Sequence, residues 1–206
     1  IKSTVIKLSK NISEKDLLRV IDESNSDVSI DSILVQLPLP NHINSNKVID
    51  RISIDKDVDG FNSKNMGLLA LGRPKVVPCT PLGCYKMLES ILILEGKNVT
   101  ILGRSNIVGK PLSYLLTNKN ATVTLAHSKT KNLQSLCLKS DIIIVAIGKP
   151  NFLKKEWVNE GAVIIDVGIN VIGERNGLRK IVGDVDYKDV LKKVSCISPV
   201  PGGVGP

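Results

Sequence analysis

Aromatic residues are nearly missing from this 206-residue chain: Phe, Trp and Tyr together make up 3%. Apolar residues still reach 42%, so the core must be built from Ile, Leu and Val. That favours buried parallel strands, which read as continuous aliphatic runs. Histidine occurs only twice, and the four cysteines (Cys79, Cys84, Cys137, Cys196) form no C-x-x-C pair. A zinc or other metal site is therefore not expected. Cysteines scattered without a framework suggest a reducing, intracellular compartment. No apolar run reaches membrane-spanning length, and no signal peptide is visible. Lys and Arg never run beyond two in a row and are not interleaved with aromatics. That sets nucleic acid well behind other anionic partners. An initial Met is also missing. The chain opens on IKSTVIKL, which reads as a strand, so residues upstream are expected.

Positive charge is present, but unevenly. Residues 1–78 hold 11 basic and 10 acidic side chains, and residues 79–206 hold 17 and 10, giving net charges of +1 and +7. The second half suits an anionic ligand such as a phosphorylated cofactor. Much of this charge is also compatible with an ordinary solvated surface.

The pattern changes near residue 78, where the domain boundary is expected. Before it, Ser13 precedes Asp16 by three residues, a capping-box-like helix start, with Leu17, Leu18 and Ile21 on one face. SILVQLPLP reads as a short strand stopped by Pro38 and Pro40. NSNKVIDRI reads as a helix, and DKDVDGFNSKNMG as an acid-rich loop. At PCTPLG, Thr80 is the expected N-cap and Pro81 the first helical residue. From Asn98 onward, strands at 99–102, 122–126, 142–148 and 162–168 alternate with short helices. Such alternation implies an α/β fold with a doubly wound parallel sheet.

The turn GRSNIVGKP (103–111) departs from the G-x-G-x-x-G fingerprint. Ser105 replaces the second glycine, and Gly109 comes one residue late. Gly103 suits the tight turn, and the helix after it can receive a phosphate at its N-terminus. An NAD site wants an acid at the end of the second strand, to hold the ribose 2′-OH. Here the strand ends in His127, Ser128 and Lys129, so Arg104 and Ser128 can instead hold a 2′-phosphate. The turn reads as NADP-binding. A glycine loop with no ligand is the plain alternative.

Five strings occur in order: VQLPLP (35–40), DKDVDGF (55–61), PCTPLG (78–83), GRSNIVGKP (103–111) and PVPGGVGP (199–206). Together they resemble the bifunctional methylenetetrahydrofolate dehydrogenase/cyclohydrolase family, over essentially the whole chain. The resemblance implies an N-terminal α/β folate domain (1–78) and a Rossmann-type NADP domain (79–206), with the active site in the cleft between them. It implies NADP-dependent oxidation of 5,10-methylenetetrahydrofolate to the 5,10-methenyl form, then hydrolysis to 10-formyltetrahydrofolate. A homodimer in the cytoplasm or an organelle matrix is implied too, with no nucleic acid or membrane partner.

By the same resemblance, Gln36 matches a glutamine that hydrogen-bonds the catalytic lysine, with Val35 and Leu37 beside it at the substrate wall. Asp59 matches the aspartate that holds the pterin ring; a carboxylate suits adjacent N–H donors. Pro201, Gly202, Gly203, Val204 and Gly205 match the segment lining the folate site. Thr80, Pro81, Gly103, Arg104, Ser105, Ser128 and Ile169 match cofactor positions. Each has a blander alternative: Gln36 as a capped polar residue, Asp59 as a turn aspartate, Thr80 as an N-cap, Ile169 as core. Asp57 reads as the turn or capping residue of DVDG.

The family's catalytic lysine lies in a Tyr-x-x-x-Lys motif upstream of where this chain begins. None occurs here: Tyr85, Tyr114 and Tyr187 precede Glu89, Asn118 and Leu191 by four. The family's helix after GGVGP is missing as well, and a partial chain is the expectation. Two other classes stay open: a shikimate-type NADP oxidoreductase, and a module that binds NADP or folate without turnover.

Overall fold

In the computed structural model, which describes residues 2–175 and 177–205, local signals explain where several helices begin. Ile1 (first residue of IKSTVIKL), Asn176 and Pro206 (last of PVPGGVGP) lie outside the described residues. The chain divides into two compact units, Ile1–Leu68 with Pro74–Val76, and Leu69–Arg73 with Val77–Pro206.

In the first unit, α1 (Glu14–Ser26) starts as expected. Ser13 Oγ accepts from Asp16 N at 3.1 Å and donates to Asp16 Oδ2 at 2.6 Å. Helix α2 (Ser45–Arg51) is capped by Asn44, whose Oδ1 accepts from Asn46 N and Lys47 N. Leu17 and Ile21 of α1 pack with Ile43, Val48 and Ile52 to form this unit's core. Helix α3 (Ser63–Ala70) takes the last five residues of the segment expected to be an acid-rich loop, and its last two residues belong to the second unit. Two expected strands are also corrected. Residues 2–8 form no regular element, and Val5, Ile6 and Leu8 are exposed. In 32–40 only Ile33 makes a bridge, parallel to Asp57. Alternation survives there without a ladder: Val35, Leu37 and Leu39 are half-buried, while Leu34, Gln36 and Pro38 are exposed. Pro38 and Pro40 cannot donate to a partner strand.

The second unit begins with α4 (Cys79–Glu89). Pro78 occupies the cap position, and no side chain caps the helix. Thr80 is thus in the first turn rather than the N-cap. Pro81 is tolerated there because the first N–H groups of a helix have no partner to lose. Strands β1 (Asn98–Leu102), β2 (Thr122–Ala126), β3 (Ile142–Val145), β4 (Val163–Asp166) and β7 (Cys196–Ile197) form one sheet, β2-β1-β3-β4-β7. Every pairing in it is parallel. Ile142, Ile143, Ile144, Val145 and Ile164 have no exposed surface, as their aliphatic runs led us to expect. Burying each contributes about 1.5–3 kcal/mol. Helices α5 (Gly109–Thr117), α6 (Leu133–Leu138) and α7 (Tyr187–Val190) and a 3-10 turn (Lys155–Trp157) connect the strands.

This is the doubly wound parallel sheet expected, with strand order 2-1-3-4-5. The dinucleotide order 3-2-1-4-5-6 would add a strand beyond β2, but both orders share a switch point beside the first strand. An antiparallel hairpin of β5 (Asn170–Arg175) and β6 (Leu178–Val182) stands apart from the sheet. It was not anticipated, although Asn-Gly at 176–177 is a strong hairpin signal.

Candidate functional site

All five parallel strands end at the same edge of the sheet, and the sequence-derived positions of the second unit other than Thr80 and Pro81 follow strands to it. Gly103, Arg104 and Ser105 follow β1; Ser128 follows β2; Ile169 follows β4; Pro201 to Gly205 follow β7. The chain leaves β1 toward β2 and leaves β3 toward β4, so a crevice opens between the β1 and β3 exits. Ligands of open α/β sheets bind at such a point.

Close packing explains the unusual spelling of the turn. Gly103 has φ +119°, and a β-carbon on it would lie 2.2 Å from Ala146 O. A β-carbon on Gly109 would lie 2.0 Å from Gly103 O. Gly109 therefore performs the helix–strand packing role of the fingerprint's last glycine despite arriving late. Ser105 Oγ accepts from Val108 N at 3.1 Å and Gly109 N at 3.4 Å, so it caps the start of α5. Only its hydrogen is left to donate to a phosphate. Arg104 is exposed and has no ion pair among the described residues.

After β2, His127 N donates to Thr130 Oγ1 at 2.9 Å and Lys129 N donates to His127 Nδ1 at 3.1 Å. These bonds hold a tight turn with Ser128 exposed at its tip. Ile169 is 72% exposed, which excludes the alternative of a core isoleucine. Near the start of α4, Thr80 is half-buried and Pro81 buried. Gly83, one turn on, faces Val204, whose carbonyl would lie 3.5 Å from an added β-carbon. The Pro201–Gly205 segment thus lies against the first turns of α4. Gly203 is required by its own turn, since a β-carbon there would meet Pro199 O at 2.4 Å.

In the first unit, Asp57 is the buried capping residue of DVDG. Its carboxylate accepts from Gly60 N at 3.0 Å and Asn62 N at 2.8 Å. Asn65 steadies the same loop, donating to Gly60 O at 2.8 Å and Val76 O at 2.7 Å. Asp59 is half-buried, and its carboxylate accepts no hydrogen bond among the described residues. Burial, and secondarily the Asp57 charge, push its pKa above the ordinary aspartate value. Gln36 is exposed, and its Nε2 donates to Leu37 O at 3.1 Å. Val35 and Leu37 are half-buried on either side.

Two acids were missed. Asp166 is 3% exposed and Asp184 has no exposed surface. Asp166 accepts from Gly168 N, Asp184 N and Val185 N; Asp184 accepts from backbone N–H groups of residues 147–149. Burial raises the Asp166 pKa, against the lowering effect of its three backbone donors. The available signals were an acid inside the aliphatic run AVIIDVG and the string GDVD (183–186).

Comparisons with known proteins bear on the chain as a whole. The family description "Tetrahydrofolate dehydrogenase/cyclohydrolase, NAD(P)-binding domain" matches residues 78–206, and the corresponding "catalytic domain" matches residues 1–59. The bifunctional protein FolD of Streptococcus uberis is 53% identical over 206 residues, covering 100% of this chain and 71% of that protein. That of a Wolbachia from Drosophila simulans is 50% identical over 208 residues, covering 100% and 70%. Among solved structures, the Campylobacter jejuni methylenetetrahydrofolate dehydrogenase/cyclohydrolase has a TM-score of 0.90 at 49% identity, over 96% of this chain and 69% of that one. The Trypanosoma brucei enzyme, solved with NADP cofactor and inhibitor, has a TM-score of 0.90 at 37% identity, with 96% and 69% covered. The glycine turn, the acid-free end of β2 and the unpartnered Asp59 are thus features of a chain that belongs to the tetrahydrofolate dehydrogenase/cyclohydrolase family.

Proposed function

We propose that this protein oxidises 5,10-methylenetetrahydrofolate to the 5,10-methenyl form with NADP, and hydrolyses the methenyl form to 10-formyltetrahydrofolate. The observation that carries this reading is the gathering of Gly103, Arg104, Ser105, Ser128 and Ile169 on one sheet edge, in a chain of this family. NADP supplies the hydride acceptor when bound. The residues here fit it: Arg104 is exposed with no ion pair among the described residues, Ser105 keeps its hydroxyl hydrogen to donate, and Ser128 is exposed at the tip of its turn, whereas the first N–H groups of α5 are already taken by Ser105. Thr80 and Pro81 complete the cofactor side. Residues 1–78 serve folate and 79–206 the cofactor, apart from the PGGVG segment.

Folate contacts are assigned to Val35, Gln36, Leu37 and Asp59, and to Pro201, Gly202, Gly203, Val204 and Gly205. Asp59, whose carboxylate accepts no hydrogen bond among the described residues, accepts two adjacent N–H groups of the pterin side by side. Gln36 serves the hydration step: its Nε2 donates one of its two hydrogens to Leu37 O, and Oε1 accepts no hydrogen bond among the described residues, so it can accept one from the catalytic machinery. A homodimer in the cytoplasm completes the reading. Val171 and Ile172, exposed on β5, offer apolar surface to a second copy. No helix among the described residues is long and apolar enough to cross a membrane.

The test is absorbance of the purified full-length protein with methylenetetrahydrofolate and either NADP or NAD. Methenyl product formed with NADP, then decaying faster than the blank, is expected. Binding of NADP and folate with no product would leave a binding module instead.

A further inference from the structure

We propose that Asp184 is a positioning residue for the nicotinamide half of the dinucleotide, acting through the loop that leaves β3. The inference rests on the NADP reading of this sheet edge. Asp184 Oδ2 accepts from Ile147 N at 2.7 Å and Gly148 N at 2.9 Å; Oδ1 accepts from Lys149 N at 2.8 Å and Asn170 Nδ2 at 2.8 Å. One buried carboxylate thereby ties together the loops leaving β3 and β4.

Asp184 is itself held. Its N–H donates to Asp166 Oδ1 at 2.9 Å, and its carbonyl accepts from Phe152 N and Leu153 N at 2.6 and 3.0 Å. Asp166 is anchored in turn by Ser198, whose Oγ accepts from Asp166 N at 2.8 Å. The packing leaves no slack. A β-carbon on Gly168 would lie 2.3 Å from Asp184 Cγ, and one on Gly183 would lie 1.9 Å from Asp166 Oδ2.

Sheet order says which part of the ligand this serves. The strands run β2-β1-β3-β4 across the edge. The 2′-phosphate is assigned to Ser128 and Arg104, beyond β2 and β1. The pyrophosphate belongs at the turn that follows Gly103. The remaining half of the dinucleotide extends over β3 and β4, where the 147–149 loop and Ile169 lie. Ala146 O already abuts Gly103, so that loop forms the wall opposite the glycine turn. Its three N–H groups are turned toward Asp184, which leaves none to bind phosphate. What the loop contributes is shape, and Asp184 sets that shape.

The experiment measures NADP and 2′,5′-ADP binding by calorimetry for the unmutated protein, Asp184→Asn and Asn170→Ala. The 2′,5′-ADP probe carries the phosphorylated adenosine and no nicotinamide. Emission of bound NADPH reports the surroundings of its nicotinamide ring. In Asp184→Asn an amide N–H₂ replaces an acceptor that faces N–H donors, so NADP should bind roughly tenfold more weakly. Asn170→Ala removes one donor of four, and a weakening of about threefold is expected. In both variants 2′,5′-ADP affinity should stay within about twofold, and NADPH emission should shift toward that of free NADPH. If Asp184→Asn fails to fold, Asn170→Ala carries the test. Parallel loss of NADP and 2′,5′-ADP binding in a folded variant, or unchanged NADP affinity and emission, would overturn the inference while the cofactor reading stands. No binding of either ligand by the unmutated protein would overturn both.

Discussion

Arg104→Ala gives the sharpest check on the cofactor assignment. In the β1–β2 pairing, Leu102 lies opposite Ala126. Arg104 and Ser128 thus each stand two residues beyond the last pair. Neighbouring strands are about 4.8 Å apart, so both exposed side chains can reach one phosphate. Arg104 has no ion pair among the described residues, so truncating it strands no protein carboxylate. A hydrogen bond to a charged group contributes about 1.5–3 kcal/mol, and exposure with salt screening pulls this one to the low end. About 1.5 kcal/mol corresponds to NADP binding roughly tenfold weaker. NAD lacks the 2′-phosphate and should change by less than about twofold. Calorimetric titration of both cofactors at low and high salt reads the difference directly. The NADP preference of the unmutated protein should shrink as salt rises. Equal weakening of NADP and NAD would refute the 2′-phosphate role and move Arg104 to the pyrophosphate or to the turn itself.

Other outcomes follow from the same geometry. Asp59→Ala should abolish folate binding while NADP still binds; intact folate affinity would remove Asp59 from the site. Because burial raises the Asp59 pKa, folate affinity should begin to fall on acidification at a higher pH than an ordinary aspartate would allow. The stability sign is opposite. A raised carboxyl pKa stabilises the fold below the unfolded-state value, and that contribution is lost as pH rises through the folded one. Asp59→Asn should therefore leave the melting temperature at neutral pH unchanged or higher. Asp57→Ala, which strands the N–H groups of Gly60 and Asn62, should cost about 1–3 kcal/mol in denaturant unfolding. Of the four thiols, exposed Cys79 and Cys196 should alkylate readily in the native state. Burial pushes Cys84 up to about 12 and Cys137 up to about 11, so both should stay unmodified until unfolding.

Sequence alone determined what depends on neighbours in the chain. The aliphatic runs of β1, β3 and β4, the Ser13–Asp16 cap, and the glycines of the cofactor turn each carry their cause within a few residues. So does the choice of Asp57 over Asp59 as the turn residue, since only Asp57 sits three residues before Gly60 and five before Asn62. The five ordered strings extended that reading to the family. Tertiary structure decided what depends on a distant partner. IKSTVIKL has strand composition, yet a strand exists only where another backbone takes its N–H and C=O groups, and none among the described residues does. Residues 63–67 looked like loop because the helix they begin has only a weak apolar face. β7 is two residues long and is recognisable only through its register with β4. Asp166 and Asp184 show the limit most plainly. In the chain they are two ordinary acids 18 residues apart; only folding removes both from water and surrounds them with the N–H donors that make them a single buried framework.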